Sequence, residues 1–119
     1  MNVVVLGASK NEDRYSNMAV KRLKEKGYNV LPVHKAIKEI HGLPVYNDLS
    51  DIKDKVDTIT VYVNESVSSS LASDILDLKP RRIIFNPGAE NYDLKDKAEE
   101  QGIVVIFACT LVMLSTGMF

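Results

Sequence analysis

The chain has 119 residues, with 15 basic and 16 acidic side chains and a formal net charge of −1 at pH 7. Apolar residues make up 45% and charged residues 26%, which excludes a disordered chain and predicts one globular domain over residues 1–119. With this near-zero net charge, we expect no long-range electrostatic attraction to nucleic acid or an anionic membrane. A single cysteine excludes an intrachain disulfide.

Predicted strands and helices alternate along the chain. Uninterrupted apolar runs such as residues 3–6 are typical of parallel strands buried on both faces, whereas apolar residues three or four apart are typical of helices. The predicted elements are, in chain order, a strand at 3–6, a helix capped by Ser16 and ended by Gly27, a strand at 28–33, an irregular crossing with at most a short helical turn near Asp48, a strand at 57–63, a helix at 65–78, a strand at 82–85, a helix at 91–101 and a strand at 103–107. This order predicts an α/β fold, a doubly wound parallel sheet of about five strands with helices on both faces.

The C-terminal residues 109–119 are too apolar for a free tail. We expect them to dock either on their own domain or on a second copy of it, which would make the protein a homodimer. The longest apolar stretch, 103–114, contains Thr110 and is too short to span a bilayer. Met1 is followed by a strand-like run without the charged region of a signal peptide, so we expect a cytoplasmic protein.

The loop after the first strand has the composition of a phosphate site. In an open parallel sheet, ligands bind beyond the carboxyl ends of the strands, where the strand order reverses. Small residues before a helix let backbone N–H groups approach a phosphate, and two basic side chains here add cationic donors. The candidate binding residues of this loop are Gly7, Ala8, Ser9, Lys10 and Arg14.

The same loop lacks two glycines of the dinucleotide fingerprint. That fingerprint is Gly-x-Gly-x-x-Gly, and here Gly7 is followed by Ser9 and Glu12 at the other two positions. A simple NAD site is therefore disfavoured. Glu12 and Asp13 also bring negative charge toward a phosphate, and the alternative is a solvated loop without a ligand.

Val33, His34 and Lys35 follow the second strand, where NAD-binding folds place an acidic residue for the ribose. Basic side chains at this point pair with a phosphorylated ribose instead. Coenzyme A and NADP both carry such a ribose. The alternative is that these charges are solvated, and their position at a strand end favours the ligand contact.

Tyr62, Val63 and Asn64 follow the third strand. The first two side chains are suited to sandwiching an adenine or lining a slot for pantetheine. The alternative for Tyr62 is a place in the hydrophobic core.

No catalytic constellation is visible in the chain. The serines between residues 66 and 70 are expected to cap or pack a helix, since no base is placed to activate them. The two histidines form no recognisable triad or metal motif. Cys109 is expected to be a buried, inert thiol, the alternative being a thiol near the end of a pantetheine arm. Arg81 and Arg82 begin the fourth strand, away from the candidate site, and are expected to be solvated.

Six segments, taken together, match one known family. They are GASKN at 7–11, DRYSN at 13–17, LPVH at 31–34, HGLPVY at 41–46, NPGAEN at 86–91 and ACTLVML at 108–114. With these residues the chain resembles the small stand-alone CoA-binding-domain proteins over essentially its whole length. It is also similar to the N-terminal CoA-binding domain of the succinyl-CoA synthetase alpha subunit and of related ADP-forming acyl-CoA synthetases.

The resemblance implies a Rossmann-like fold that binds coenzyme A or an acyl-CoA. In the synthetase domains, the loop after the first strand holds the CoA phosphates, the segment after the second contributes a lysine, and the segment after the third contacts adenine. Carried over, this implies phosphate contacts at Gly7, Ser9, Lys10 and Arg14, contacts to the phosphorylated ribose at Val33, His34 and Lys35, and contacts to the base at Tyr62, Val63 and Asn64. The synthetases' phosphorylated histidine lies in a following domain, so their reaction is not carried over.

We therefore expect non-catalytic binding of coenzyme A or an acyl-CoA, with no nucleic-acid or membrane partner. One alternative is an NADP-type reductase subunit, which predicts binding of NADPH. Another is a dimeric interaction module with a vestigial nucleotide site. The last alternative is motivated by apolar residues of the tail, namely Leu111, Val112, Leu114, Met118 and Phe119.

Overall fold

The computed structural model describes all residues from 1 to 119. Its strands are β1 (Asn2–Leu6), β2 (Asn29–Val33), β3 (Glu39–Ile40), β4 (Leu43–Pro44), β5 (Thr58–Val61), β6 (Arg82–Phe85) and β7 (Val104–Phe107). Its α-helices are α1 (Tyr15–Glu25), α2 (Glu65–Ser70), α3 (Ala72–Asp77), α4 (Tyr92–Glu100) and α5 (Thr110–Thr116), and a 3₁₀ turn spans Leu49–Asp51.

Five strands form one parallel sheet in the order β2-β1-β5-β6-β7. Strand β1 pairs with β2 on one side, where Val3 lies opposite Val30, and with β5 on the other, where Val3 lies opposite Thr58. The sheet order reverses direction between β1 and β5, because β2 lies on one side of β1 and all later strands of this sheet lie on the other. The predicted α/β fold with a doubly wound five-stranded parallel sheet is confirmed.

The two faces of the sheet carry separate hydrophobic clusters. Alternate residues of β1 point to opposite faces, so Val4 and Leu6 belong to the larger cluster and Val3 and Val5 to the smaller one. The larger cluster includes residues of α3 and α4 and of the 3₁₀ turn. The smaller cluster includes residues of α1, β3 and α5. Both faces of the parallel sheet are covered, which explains the continuous apolar sequence of its strands.

Two helix predictions need correction. Helix α1 begins at Tyr15 with Arg14 as its N-cap residue, so Ser16 lies buried in the first turn and does not cap it. The helix expected at 65–78 is divided into α2 and α3 at Leu71. The hydroxyls of Ser68 and Ser70 donate to the carbonyls of Glu65 and Val67 and compete with the helical hydrogen bonds.

The crossing between β2 and β5 contains a small hairpin that the sequence did not predict. Strands β3 and β4 pair antiparallel, with Ile40 opposite Leu43. The short helical turn expected near Asp48 is confirmed as the 3₁₀ turn at Leu49–Asp51, where the Asp48 carboxylate accepts a hydrogen bond from the backbone N–H of Ser50. Two-residue strands carry too little periodicity to be recognised in a sequence.

The C-terminal tail docks on its own domain. It forms α5, whose Leu114 is buried in the smaller cluster, and Phe119 packs edge-to-face on Tyr28 at a centroid distance of 5.3 Å. The Arg82 guanidinium lies 4.3 Å from the centre of the Phe119 ring. The prediction that Arg82 is solvated is wrong, since the residue is only 6% exposed beneath this ring. Arg81 is exposed and forms an ion pair with Asp57.

Candidate functional site

A cleft opens at the carboxyl ends of β1, β2 and β5, where the strand order reverses. Its volume is about 420 Å³, within the range of roughly 300–1,000 Å³ typical of small-molecule sites. Its lining residues are Leu6, Gly7, Val33, His34, Lys35, Asn47, Asp48, Leu49, Val63, Val67, Leu71 and Asp74. Open parallel sheets bind their ligands at this position.

Gly7 makes the tight turn between β1 and the following loop. Its φ of +91° is one that residues other than glycine rarely adopt, and a Cβ there would lie 2.9 Å from Cγ1 of Val63. The backbone N–H groups of Gly7 and Ala8 both donate to the carbonyl of Val33, at 3.2 and 3.1 Å. The start of the loop is therefore anchored to the end of β2, and the cleft floor needs a residue without a side chain here.

The rest of this loop keeps several backbone donors unused. The N–H of Asn11 donates to the Ser9 hydroxyl and that of Asp13 to the Asn11 side chain. The N–H groups of Ser9, Lys10 and Glu12 have no hydrogen-bond partner in the chain. These free donors lie ahead of the N-terminus of α1, where the helix dipole favours an anion.

The segment after β2 is held in place by its own side chains. Nδ1 of His34 accepts hydrogen bonds from the backbone N–H groups of Ala36 and Ile37, at 3.1 and 3.3 Å. The Asn47 amide donates to the carbonyls of His34 and Ile37, at 2.8 and 2.9 Å. Because Nδ1 of His34 is an acceptor, the proton of the neutral ring is on Nε2, which is left as a donor. Asn47 closes the loop that presents both basic residues of this segment.

The cleft is apolar at its floor and of mixed charge at its rim. Lys35 is exposed and His34 half-buried on one side, whereas Asp48 and Asp74 contribute carboxylates. Hydrogen bonds from the backbone N–H and the hydroxyl of Ser50 hold the pKa of Asp48 below its usual range, so this carboxylate stays charged. This distribution of charge favours an anionic group near Lys35 and the loop after β1 over one near the two carboxylates.

The structure brings five of the predicted binding residues to the cleft, namely Gly7, Val33, His34, Lys35 and Val63. The other six, which do not line it, are Ala8, Ser9, Lys10, Arg14, Tyr62 and Asn64. Ala8 is buried, and Ser9, Lys10 and Arg14 belong to the loop beside the cleft. Asn64 caps α2, its side chain accepting a hydrogen bond from the N–H of Val67.

Tyr62 points to the face of the sheet opposite the cleft. It packs against the smaller hydrophobic cluster, and its hydroxyl oxygen is buried without a hydrogen-bond partner. Burial raises the pKa of Tyr62 to about 12. The alternative of a core position is therefore the one observed for this ring, whereas its neighbour Val63 faces the cleft.

Sequence reasoning missed more than half of the cleft wall, namely Leu6 and six residues of two other segments. Asn47, Asp48 and Leu49 come from the crossing before β5, and Val67, Leu71 and Asp74 come from α2, the break and α3. Val67, Leu71 and Asp74 follow one another at intervals of four and three residues. This spacing was a usable signal, because it places the three side chains on one side of the helical segment.

Residues 1–115 match the family model of the CoA binding domain. The chain belongs to the CoA-binding domain family. This match confirms the resemblance on which the expected site depends, and it extends over both the cleft and most of the tail helix α5.

Relatives of this CoA-binding-domain protein include both small proteins and a much longer enzyme. It is 26% identical over 104 residues to the uncharacterized protein YneT of Bacillus subtilis, covering 87% of this chain and 77% of YneT. It is 27% identical over 103 residues to the ADP-forming acetate–CoA ligase of Methanocaldococcus jannaschii, covering 83% of this chain and 15% of the ligase. The chain thus matches only a small part of that ligase.

A solved structure of an uncharacterized protein supports the same fold. The two chains superpose with a TM-score of 0.94 at 42% sequence identity, over 99% of this chain and 97% of the other. The arrangement of strands around the cleft is therefore shared with a protein of the same size.

The structure contains neither a cluster of metal-ligating side chains nor a membrane-spanning helix. No group of three His, Cys, Asp or Glu side chains is arranged to hold a metal ion. None of the helices has the length and apolar character required to cross a bilayer. Cys109 is half-buried at the N-terminus of α5, so the expectation of a buried thiol is not met.

Proposed function

We propose that this protein binds coenzyme A or an acyl-CoA in the cleft, as a binding module without catalysis. The observation that carries the proposal is that the cleft is lined by both Gly7 and the His34-Lys35 pair at the reversal of strand order, in a chain of the CoA-binding domain family. Such a cleft accommodates the nucleotide half of a CoA molecule. The pantetheine arm then extends out of it.

The phosphates are assigned to the side of the loop after β1. The unused N–H groups of Ser9 and Lys10, the exposed Lys10 side chain and the α1 dipole all favour negative charge there. Lys35 and the Nε2–H of His34 are the donors that we assign to the phosphate on the ribose. These contacts supply cationic or N–H donors without requiring the glycines of the dinucleotide fingerprint.

The adenine ring is assigned to the apolar floor. Val33, Leu49 and Val63 provide apolar contact surface, and the carboxylates of Asp48 and Asp74 are acceptors for an exocyclic amino group. Both carboxylates would repel a phosphate placed here. The charge distribution therefore gives the ligand one orientation, with its base toward α2 and α3 and its phosphates toward α1.

Calorimetric titration with CoA, NADPH and NADH at fixed salt tests the proposal. We expect saturable binding of CoA and none of the other two. Binding of NADPH that CoA does not displace would instead support a reductase subunit. Absence of binding by all three nucleotides would refute the nucleotide site and favour an interaction module.

Charge variants test the assignment of the site. Lys35→Ala and Lys10→Ala each remove one phosphate contact, so each is expected to weaken CoA binding by about 1 kcal/mol, roughly fivefold in Kd. Lys97→Ala is the matched control, because Lys97 forms an exposed ion pair with Asp93 on α4. Unchanged affinity in both Lys35→Ala and Lys10→Ala contradicts the assigned residues even if CoA binds.

A further inference from the structure

A hydrogen-bonded chain links the loop after β1 to the hairpin of β3 and β4. The Asn17 side chain, in a residue only 4% exposed, donates from Nδ2 to the Ser9 carbonyl at 2.8 Å. Its Oδ1 lies 2.8 Å from Nε2 of His41, at the tip of the hairpin. Neither residue lines the cleft, and both belong to the segments in which the chain resembles its family.

His41 is held in an unusual backbone conformation. Its φ is +50°, and it is one of two residues other than glycine with a positive φ in this chain. The Lys24 ammonium donates to the His41 carbonyl, and the N–H of Gly42 donates to the Glu39 carboxylate. The hairpin thereby keeps the imidazole beside Asn17. The backbone of His41 has a conformation that glycine or asparagine adopts more readily.

The imidazole holds the oxygen end of the Asn17 amide in place. The two ends of an amide have almost the same shape, so only hydrogen bonds distinguish the oxygen from the nitrogen. The Ser9 carbonyl can only accept, so Nδ2 of Asn17 donates to it, and Oδ1 is left facing Nε2 of His41, which donates to it. The neutral Nε2–H tautomer and the doubly protonated ring both donate in this way.

The orientation of the Ser9 carbonyl fixes the direction of the next N–H group. The peptide bond between Ser9 and Lys10 is trans, so its C=O and N–H point in opposite directions. Because the carbonyl is bonded to Asn17, the N–H of Lys10 points away from Asn17. That N–H has no partner in the chain. We propose that His41 and Asn17 are positioning residues that aim the Lys10 backbone N–H at the phosphates of the ligand.

This inference rests on the proposed function for the identity of the ligand. Two variants of His41 test the positioning role separately from that function. His41→Leu removes the donor, whereas His41→Gln retains an N–H donor, and both keep a Cβ at the same positive φ. We expect His41→Leu to weaken CoA binding about tenfold. His41→Gln is expected to restore most of the affinity, with thermal unfolding midpoints of the two variants within a few degrees of one another.

A measurement on the ligand-free protein makes the test independent of CoA. Hydrogen exchange followed by NMR reports on the Asn17 side-chain amide and on the amides of the loop at 9–12. We expect faster exchange of the Asn17 amide in His41→Leu than in the native protein or in His41→Gln. Equal exchange in all three proteins overturns the positioning role, whether or not CoA binds.

The outcomes with CoA are also decisive. If the native protein binds CoA and His41→Leu binds equally well, the positioning role fails and the proposed function stands. If the native protein does not bind CoA, the proposed function fails, and the exchange measurement alone decides whether His41 orders the loop.

Discussion

Replacing Gly7 with alanine tests the turn on which the cleft depends. At a φ of +91° an alanine is strained, at a cost of about 1–2 kcal/mol. Its Cβ would also lie 2.9 Å from Cγ1 and 3.3 Å from N of Val63. Overpacking of this kind costs about 1–3 kcal/mol, since backbone atoms must move. We expect Gly7→Ala to lower the free energy of unfolding by about 2–5 kcal/mol, the sum of these two ranges.

Gly27 provides the matched control. Its φ is +89°, and a Cβ built there meets no atom within 4 Å. Gly27→Ala therefore has the conformational strain without the steric contact, and it should cost only about 1–2 kcal/mol. The difference between the two variants measures how closely Val63 approaches the turn.

Urea unfolding is the assay, with CoA titration on whichever variant remains folded. With an m-value of about 1–2 kcal/mol per molar urea, a difference of about 2 kcal/mol separates the two midpoints by about 1–2 M. Equal midpoints would refute the close approach of Gly7 to Val63. A folded Gly7→Ala variant with native CoA affinity would refute the placement of the ligand over this turn.

Three further predictions concern the packing around the site. Because burial raises the pKa of Tyr62 to about 12, its neutral phenol contributes to stability fully below the unfolded value near 10, and this contribution is lost as the pH rises toward 12. Tyr62→Phe should reduce this alkaline loss in the free energy of unfolding, measured by denaturation at about pH 8 and pH 11. The hydrogen bond from Arg81 lowers the pKa of Asp57, so its stabilisation is present above the ordinary value near 3.8 and is lost on acidification through the lowered pKa; Asp57→Asn should reduce the difference in stability between about pH 5 and pH 2. Asn86 is buried and bonds to Thr60, Val61 and the N–H of Thr110, and Asn86→Ala should cost about 2–3 kcal/mol in thermal or urea unfolding, since it leaves buried groups unpaired.

The sheet was predictable because its strands are buried on both faces. Runs such as 3–6 and 82–85 consist mostly of apolar residues, and short runs of this kind separated by helices are typical of a parallel sheet. The hairpin at His41 and the break at Leu71 were not predictable. The first consists of four paired residues, and the second arises from serine hydroxyls that compete for helix carbonyls, which a periodicity of apolar residues does not reveal.

The candidate site was predictable where it follows directly from strand ends. Residues after β1, β2 and β5 must meet at one edge of a parallel sheet, so Gly7, Lys35 and Val63 were placed correctly at the cleft. Asp74 was missed, because its spacing from Val67 and Leu71 places it on the same side of the helical segment but does not reveal that this side faces the cleft. Arg82 was misplaced for a related reason: its burial depends on Phe119, which lies far along the chain at the C-terminus.

The two faces of the sheet contribute different parts of the site. Beyond β5, Val63 faces the cleft and Tyr62 faces the cluster under α1 and α5, because neighbouring residues point to opposite faces. The loop after β1 crosses between these faces at Gly7, with the apolar floor on one side and the Asn17–His41 support on the other. In the proposed arrangement, the ligand would have its base on the apolar floor that faces α2 and α3, and its phosphates near the Lys10 N–H that Asn17 of α1 orients. Variants on the α1 face should change the phosphate contacts without altering the shape of the base pocket, and this separation allows the two contributions to affinity to be measured independently.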